Sequence, residues 1–241
     1  MSEQAEPEHA EPEQAEPEHA EPEHAEPSVA RGCGDPVTRD EVVTAYGSRA
    51  RGLAAMLGTR VDPQDPDRAI VEAWAAAVRG PILDVGSGTG RWAGLLAELG
   101  HTVEGLEPAA EFVEIARRAH PAVPFRSGAI ADLDGPADAG RWSGILAWYS
   151  LIHLGPEEMP AALALLRRAL AEDGSMLVSF FTGARLEPFA HPVARGYRWP
   201  AHDLIDALTA AGFVVTGHRT HPGGQHASVS AAPAATPAPT P

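Results

Sequence analysis

Apolar residues follow two different spacings along the central part of the chain, from about residue 40 to residue 230. Segments with apolar residues three or four positions apart predict amphipathic helices, and short apolar runs such as Ile82–Val85 predict buried strands. Because strands and helices alternate, the pattern predicts an α/β fold with a doubly wound, mostly parallel, seven-stranded sheet. The predicted helices are 40–57, 67–78, 92–99, 109–119, 156–171 and 202–211, and the predicted strands are 82–85, 102–106, 123–125, 144–148, 175–181, 213–217 and 227–230.

Both ends of the chain lack this patterning. Residues 1–30 contain a five-residue repeat, Glu-(Gln or His)-Ala-Glu-Pro, run five times. Its prolines interrupt any helix and its carboxylates repel one another, which predicts a disordered acidic tail. The repeat carries most of the formal net charge of −15. Residues 231–241 contain only Ala, Pro and Thr and predict a second disordered tail. We therefore expect a single folded domain over 36–230.

Composition excludes several classes of function. The basic residues are modest in number and scattered through the body of the chain, so we expect no nucleic-acid partner. The single cysteine, Cys33, excludes an intrachain disulfide framework and fits a reducing cytoplasm. The N-terminus is acidic and no stretch approaches ~18 uninterrupted apolar residues, so we expect neither export nor a membrane span. The spacing of His218, His221 and His226 matches no standard ligand frame, and we expect no metal site.

A glycine-rich turn follows the predicted strand Ile82–Val85, with the sequence Gly86-Ser87-Gly88-Thr89-Gly90. Glycines allow a tight turn and a close approach of backbone amides to a ligand. Glu107, at the end of the next strand, is placed to accept hydrogen bonds from ribose hydroxyls. A nicotinamide site is an alternative, but its G-x-G-x-x-G frame requires a small residue where this chain has Arg91. A turn that only links strand and helix is another alternative.

Residues 84–90, followed by Glu107, resemble motif I and the second-strand acid of class I methyltransferases that depend on S-adenosyl-L-methionine (SAM). Residues 142–154 and 171–180 resemble strand regions of the small methyltransferases of the type 11 and ubiquinone-biosynthesis-like group. The resemblance covers about residues 46–213. It implies one Rossmann-like domain with SAM as the cofactor.

The resemblance also implies roles for individual residues of the motif. Asp84 would lie beneath the amino acid end of SAM, and Gly86, Gly88 and Gly90 would frame its methionyl and ribose portion. Glu107 would bind the ribose.

The third-strand loop departs from the family pattern. The family commonly has an acid after the glycine of this loop, where Gly128 is followed by Ala129. Recognition of adenine would then fall to backbone groups of Ala129 and Ile130, with Asp132 as an alternative.

His153, just past the fourth strand, is the first candidate for a general base, because that strand end faces the transferable methyl group in the family. The alternative is a histidine that caps the loop or bonds a backbone carbonyl. Trp148 and Tyr149 lie on the same segment, and the alternation of strand residues predicts that one lines the cofactor and the other packs in the core. Tyr46 resembles the N-terminal aromatic residue that closes over SAM, with core packing as the alternative.

Residues 187–199 are polar and interrupted by prolines, which predicts a loop rather than a strand. Loops at this place usually form the wall of a substrate site. The candidates for substrate recognition in and near this loop are Tyr149, His191, Tyr197, Arg198 and Trp199. Arg195 and Arg198 suit a carboxylate or phosphate on the substrate, or are surface charges.

These residues together indicate a SAM-dependent methyltransferase that modifies an oxygen, nitrogen or carbon atom of a compact small-molecule acceptor. The room left for a substrate domain is small, and for that reason we expect a compact acceptor. Two alternatives remain at this point: a SAM-binding regulatory protein without turnover, and a nicotinamide-dependent oxidoreductase.

Overall fold

The computed structural model describes residues 38–221 and 223–235. The acidic repeat, Cys33 and residues 236–241 lie outside this part of the chain. The described residues form six α-helices and nine strands. The helices are α1 (Arg39–Leu57), α2 (Arg68–Ala75), α3 (Arg91–Glu98), α4 (Ala110–Ala119), α5 (Met159–Ala169) and α6 (Ala201–Ala210). The strands are β1 (Ile82–Val85), β2 (Val103–Glu107), β3 (Phe125–Ser127), β4 (Trp142–Trp148), β5 (Leu170–Thr182), β6 (Glu187–Ala190), β7 (Arg195–Trp199), β8 (Phe213–Thr220) and β9 (His226–Pro233).

The central sheet has the predicted fold class, a mostly parallel, doubly wound α/β arrangement. Strands β3, β2, β1, β4 and β5 lie side by side and run parallel. Strand β9 then pairs antiparallel with β5, and β8 pairs antiparallel with β9. A doubly wound sheet is mostly parallel, and β9 is the strand that reverses direction beside β5.

Both faces of the sheet are covered, as a parallel sheet requires. All four residues of β1 are buried. Helices α5 and α6 pack on one face through residues such as Leu163 and Leu208. Helices α2, α3 and α4 pack on the other face through Trp74, Trp92 and Val113. The carboxyl ends of the parallel strands are therefore held in fixed positions at one edge of the sheet.

The prediction of a loop over residues 187–199 is wrong. Strands β6 and β7 form an antiparallel hairpin, and β7 pairs in parallel with Phe181 and Thr182 of β5. Strand β4 ends opposite Ser179, so β7 occupies the place beyond its carboxyl end. Pro188 does not prevent the pairing because β6 lies at an edge of the sheet, where a missing amide costs no ladder hydrogen bond.

The boundary of the C-terminal tail also needs correction. Strand β9 extends to Pro233, three residues into the segment that composition marks as disordered. Ala231 is buried between Met176 of β5 and Val215 of β8. Small alanine side chains fit between two neighbouring strands, and composition alone does not distinguish this use from a tail.

Candidate functional site

A cavity of about 440 Å³ lies at the carboxyl ends of the parallel strands. Its floor comes from the ends of β1, β2, β4 and β5, where the fold rule places ligands. Helix α1 and the turn between β6 and β7 form the opposite walls. Arg49 of α1 donates hydrogen bonds to the backbone oxygens of Pro192 and Val193, at 2.7 and 3.0 Å, and so joins these two walls.

The glycine turn contributes to one end of the cavity with two of its three glycines. Gly86 and Gly88 line the cavity, whereas Gly90 does not. At Gly88 the backbone has φ +53° and a Cβ atom would meet nothing within 4 Å. At Gly90 a Cβ atom would lie 2.8 Å from the ring of Phe125. Gly88 therefore keeps ligand space open, and Gly90 lets the turn pack against β3.

Glu107 lines the same end of the cavity and is bonded directly to the glycine turn. Its two carboxylate oxygens accept hydrogen bonds from the amides of Gly88 and Ala109, both at 2.9 Å. Burial of the side chain raises the pKa of the carboxyl group. Each carboxylate oxygen can still accept a further hydrogen bond.

Asp84 is 2% exposed and lies outside the cavity lining. Its carboxylate accepts a hydrogen bond of 3.1 Å from the amide of Ala93, in the first turn of α3. Burial raises the pKa of Asp84 to about 7, against the opposing effect of this hydrogen bond. The structure therefore gives Asp84 a place under the start of α3 and no surface toward a ligand.

The third-strand loop supplies Gly128, Ala129 and Ile130 to the cavity wall. The amide of Ala129 donates a hydrogen bond of 2.7 Å to the carboxylate of Asp132. Asp132 itself is exposed and does not line the cavity. It acts on this loop by holding the Ala129 backbone.

Aromatic and imidazole rings surround the other end of the cavity. The ring centroids of His153 and His191 are 5.2 Å apart, and those of Tyr149 and Phe181 are 5.5 Å apart. Tyr46 of α1 lies 5.4 Å from His153. Burial and the neighbouring His153 lower the pKa of His191 to about 4, so this imidazole is neutral near pH 7.

The expectation that only one of Trp148 and Tyr149 faces the site is wrong, because both line the cavity. Tyr149 has φ +53°, the only positive φ of a residue other than glycine in the described part of the chain. This conformation ends the regular alternation of β4 and turns the second ring toward the same side. Backbone strain of this kind often accompanies a functional site.

His153 makes hydrogen bonds through both ring nitrogens. Its Nδ1 lies 2.7 Å from the backbone oxygen of Arg195, and its Nε2 lies 2.8 Å from the Tyr46 hydroxyl. Burial lowers the pKa of His153. The residue therefore faces the cavity and also bonds a backbone carbonyl, and its role as a general base stays a prediction.

Three of the predicted substrate residues lie outside the cavity lining. All three belong to β7, whose pairing with β5 turns their side chains elsewhere. The ring of Tyr197 packs on Gly155, the guanidinium of Arg198 lies 4.3 Å from the ring centroid of Phe189, and Trp199 is part of the hydrophobic core. Arg195 contributes its backbone oxygen to His153.

The sequence did not single out several lining residues. Phe181 stands at the carboxyl end of β5, where the general rule for α/β sheets already places ligands. Ser150 lines the cavity, and its buried hydroxyl has no hydrogen-bond partner among the described residues. Pro192 and Val193 depend on the hairpin, which the pattern did not predict.

Two of the C-terminal histidines form polar contacts with other side chains. His221 Nδ1 lies 3.2 Å from Asp67, and His226 Nδ1 lies 3.1 Å from the hydroxyl of Tyr149. Within residues 38–221 and 223–235, no group of three or more His, Cys, Asp and Glu could hold a metal ion. No helix in the same part of the chain is long and apolar enough to cross a membrane.

Comparison with known protein families gives a match over the segment that contains the glycine turn and Glu107. Residues 82–174 match the family model of a methyltransferase domain. This match favours methyl transfer over the nicotinamide alternative. Membership of the type 11 and ubiquinone-biosynthesis-like group stays a prediction.

A curated protein and two solved structures are similar to this chain. An uncharacterized methyltransferase of Exiguobacterium sibiricum is 29% identical over 139 residues, which are 56% of this chain and 64% of that protein. The match thus spans less than two thirds of the relative. The crystal structure of 1,6-didemethyltoxoflavin-N1-methyltransferase from Burkholderia thailandensis was solved with 1,6-didemethyltoxoflavin and S-adenosylhomocysteine. It has 23% identity and a TM-score of 0.69, covering 86% of this chain and 94% of that chain.

The second structure is the (4+2)-cyclase SpnF, with 18% identity and a TM-score of 0.65. It covers 80% of this chain and 96% of that chain. At these identities the two structures show a shared fold. A cyclase and a methyltransferase with the same fold also show that activity has to be argued from the site.

Proposed function

We propose that this protein transfers the methyl group of SAM to an oxygen, nitrogen or carbon atom of a small-molecule acceptor. The observation that carries the proposal is one continuous cavity with two different ends. The glycine turn and Glu107 stand at one end, the rings of His153 and His191 stand at the other, and Tyr46 lies between them, close enough to Glu107 to sense its charge and bonded to His153. Such a cavity can hold a cofactor and an acceptor side by side.

The residues of the first end fit SAM. The open space over Gly88 suits a ligand that approaches the backbone closely. The carboxylate of Glu107 keeps acceptor capacity for ribose hydroxyls after bonding two amides. The unpartnered hydroxyl of Ser150, beside Gly86, suits the polar amino acid end of the cofactor. When bound, SAM supplies an electrophilic methyl group on a sulfonium.

The chain's own contribution is alignment and the exclusion of water. Transfer of a methyl group is an in-line displacement, so the acceptor atom has to be held opposite the sulfur. Helix α1 and the β6–β7 turn cover the cavity from two sides and are bonded to each other through Arg49. This cover keeps the acceptor in place and limits competition from water.

The second end favours a compact, uncharged acceptor with a planar group. Its walls are the rings of Tyr46, Tyr149, Phe181, His153 and His191. Burial lowers the pKa of both histidines, so neither offers a positive charge to a carboxylate or phosphate. The B. thailandensis enzyme, with its bound small-molecule acceptor, gives a precedent for such a substrate on this fold. The cytoplasm, which the sequence favours, is the proposed compartment.

Calorimetric titration and a product assay test the proposal. We expect SAM and S-adenosylhomocysteine to bind in the micromolar range and NAD to give no heat of binding. Incubation with SAM and a panel of small phenols, N–H heterocycles, amines and carboxylates should give a methylated product, detected by mass spectrometry. Binding of NAD in preference to SAM would overturn the proposal. Tight SAM binding without any product would favour the regulatory alternative.

A further inference from the structure

The hydrogen bonds of His153 determine where its proton lies. A backbone carbonyl oxygen only accepts hydrogen bonds, so the contact of 2.7 Å between Nδ1 and the Arg195 oxygen requires a proton on Nδ1. In a neutral imidazole the other nitrogen, Nε2, then has a free electron pair. The Tyr46 hydroxyl, 2.8 Å away, must donate its proton to that pair.

This arrangement leaves the Tyr46 oxygen, rather than His153, as the acceptor for a substrate proton. Both ring nitrogens of His153 are occupied. The phenol uses its only O–H in the hydrogen bond to His153, and its oxygen keeps lone pairs that can accept another hydrogen bond. Tyr46 is part of the cavity wall, together with residues at the ends of β1 and β4.

The groups around this pair keep both members neutral. Burial raises the pKa of Tyr46 well above its usual value, and the charge of Glu107 raises it further. Burial also lowers the pKa of His153. The neighbouring ring of His191 is itself neutral near pH 7. A neutral phenol that donates to a neutral imidazole is the starting state that a proton relay needs.

We propose that Tyr46 and His153 form a relay that removes the acceptor's proton during methyl transfer. The inference rests on the proposed function. With SAM bound, the acceptor atom would take the methyl group while the electron pair of the carbon–sulfur bond would stay on sulfur, and the proton on the acceptor atom would move to the Tyr46 oxygen. The tyrosine's own proton moves at the same time to Nε2 of His153. The positive charge lost from the sulfonium thus reappears on the imidazolium, and its Nδ1–H bond to Arg195 stabilises it.

The relay narrows the class of acceptor. A nucleophile that arrives already deprotonated, such as a carboxylate, gains nothing from it. An acceptor whose reacting atom carries a weakly acidic proton gains the most, which points to phenols and to N–H groups of heterocycles. Tyr46 is the catalytic residue of this relay, and His153 is a positioning residue that acts through it.

Nuclear magnetic resonance of the protein alone tests the geometry. With ¹⁵N-labelled histidine, the wild-type protein should show His153 as the Nδ1–H tautomer with a hydrogen-bonded Nε2. Tyr46→Phe should move the Nε2 resonance to the position of an unbonded imidazole nitrogen. Tyr197→Phe is the matched control, because Tyr197 lies outside the cavity, and it should leave both resonances in place. An Nε2–H tautomer, or no shift in Tyr46→Phe, would overturn the relay.

Kinetics with an acceptor from the product assay test the chemistry. Tyr46→Phe and His153→Gln should each lower kcat about 10²- to 10³-fold with little change in SAM affinity, since both keep the packing and remove a relay atom. The double variant should lose little more than either single variant, because groups that act as one unit are not additive. The loss should grow with the pKa of the acceptor proton.

Independent losses that multiply in the double variant would overturn the relay even though the enzyme methylates its acceptor. A wild-type protein that binds SAM and yields no product contradicts the proposed function instead, and the tautomer measurement then decides the relay's geometry by itself.

Discussion

The two ends of the cavity are built in different ways. The glycine-turn end depends on backbone groups and one buried carboxylate, all supplied by two neighbouring strands and the turns that follow them. The ring end depends on side chains that come from α1, β4, β5 and the β6–β7 hairpin. The first end comes mainly from residues 86–107, whereas the second joins residues about 145 positions apart in the chain, such as Tyr46 and His191.

This difference separates what the two ends can do. A site made of backbone groups accepts few substitutions, because each atom also closes a turn or starts a helix. A site made of side chains from several elements can change one ring at a time without disturbing the fold. Under the proposed function, the fold therefore fixes the end that binds the cofactor, and the ring end determines which acceptor fits.

The largest effect on SAM affinity should come from Gly88→Val. Valine would project into the open space over the turn and would strain a backbone that has φ +53°. We expect a loss of affinity greater than about 100-fold, or more than roughly 2.7 kcal/mol, in calorimetric titration.

Gly140→Val is the matched control for this substitution. Gly140 has φ +63° and, like Gly88, no atom within 4 Å of a Cβ position, but it lies outside the cavity. It should show a similar fall in Tm with unchanged SAM affinity. Gly88→Ala carries the same test with less strain. Equal affinities in folded Gly88 and Gly140 variants would contradict a cofactor at this turn.

Glu107→Gln should have the next largest effect. The substitution keeps the shape of the side chain but removes the charge that strengthens its hydrogen bonds, and it places an amide donor against a backbone amide. SAM affinity should fall about ten- to a hundredfold, which is roughly 1.5–3 kcal/mol. Calorimetric titration with SAM measures the loss, after circular dichroism has shown that the variant is folded. Wild-type affinity in that variant would mean that the ribose is held elsewhere.

Much of the fold followed from the sequence pattern because it depends on local periodicity. The run Ile82–Val85 is a strand with the predicted bounds, since its apolar residues on both faces indicate a buried parallel strand. The β6–β7 hairpin could not be predicted in the same way. Its polar residues and Pro188 belong to an edge strand, where neither alternation nor amide donors are needed.

The candidate site was predictable only in part. Gly86, Gly88 and Glu107 form a local motif, and the structure brings them to one cavity end. Tyr46 and His153 were each singled out, but the hydrogen bond that makes them a pair joins residues 107 positions apart. The positive φ of Tyr149 could not be predicted from the sequence. Residues other than glycine rarely adopt a positive φ, and nothing in the sequence marks this tyrosine as an exception.

Asp84 sharpens the comparison, since it belongs to the glycine motif and yet lies outside the cavity. Asp84→Asn should change SAM affinity less than about threefold, the smallest effect of the three, because an amide oxygen can still accept the hydrogen bond from Ala93. The substitution should instead change how stability depends on pH.

The direction of that change follows from the pKa of about 7 in the folded protein, against 3.8 for an ordinary aspartate. Between these values the native state binds more protons than the unfolded state, so the wild-type protein loses stability as pH rises from about 4 to about 7. Asp84→Asn removes this loss, and its free energy of unfolding relative to wild type should rise by about 2–4 kcal/mol across the same window.

Asp138→Asn provides a control with the opposite sign. Asp138 is also 2% exposed, but its hydrogen bond with Arg126 lowers the pKa of the carboxyl group. The ionised carboxylate stabilises the fold at pH values above the pKa that Asp138 has in the unfolded chain. The variant should therefore be most destabilised near neutral pH. Urea unfolding at pH 3, 4.5, 6 and 7.5 measures both trends, because the Asp138 contribution is lost below about pH 4 and the Asp84 contribution changes between about pH 4 and pH 7. Parallel pH profiles for wild type and Asp84→Asn, together with a large loss of SAM affinity, would return Asp84 to the ligand site.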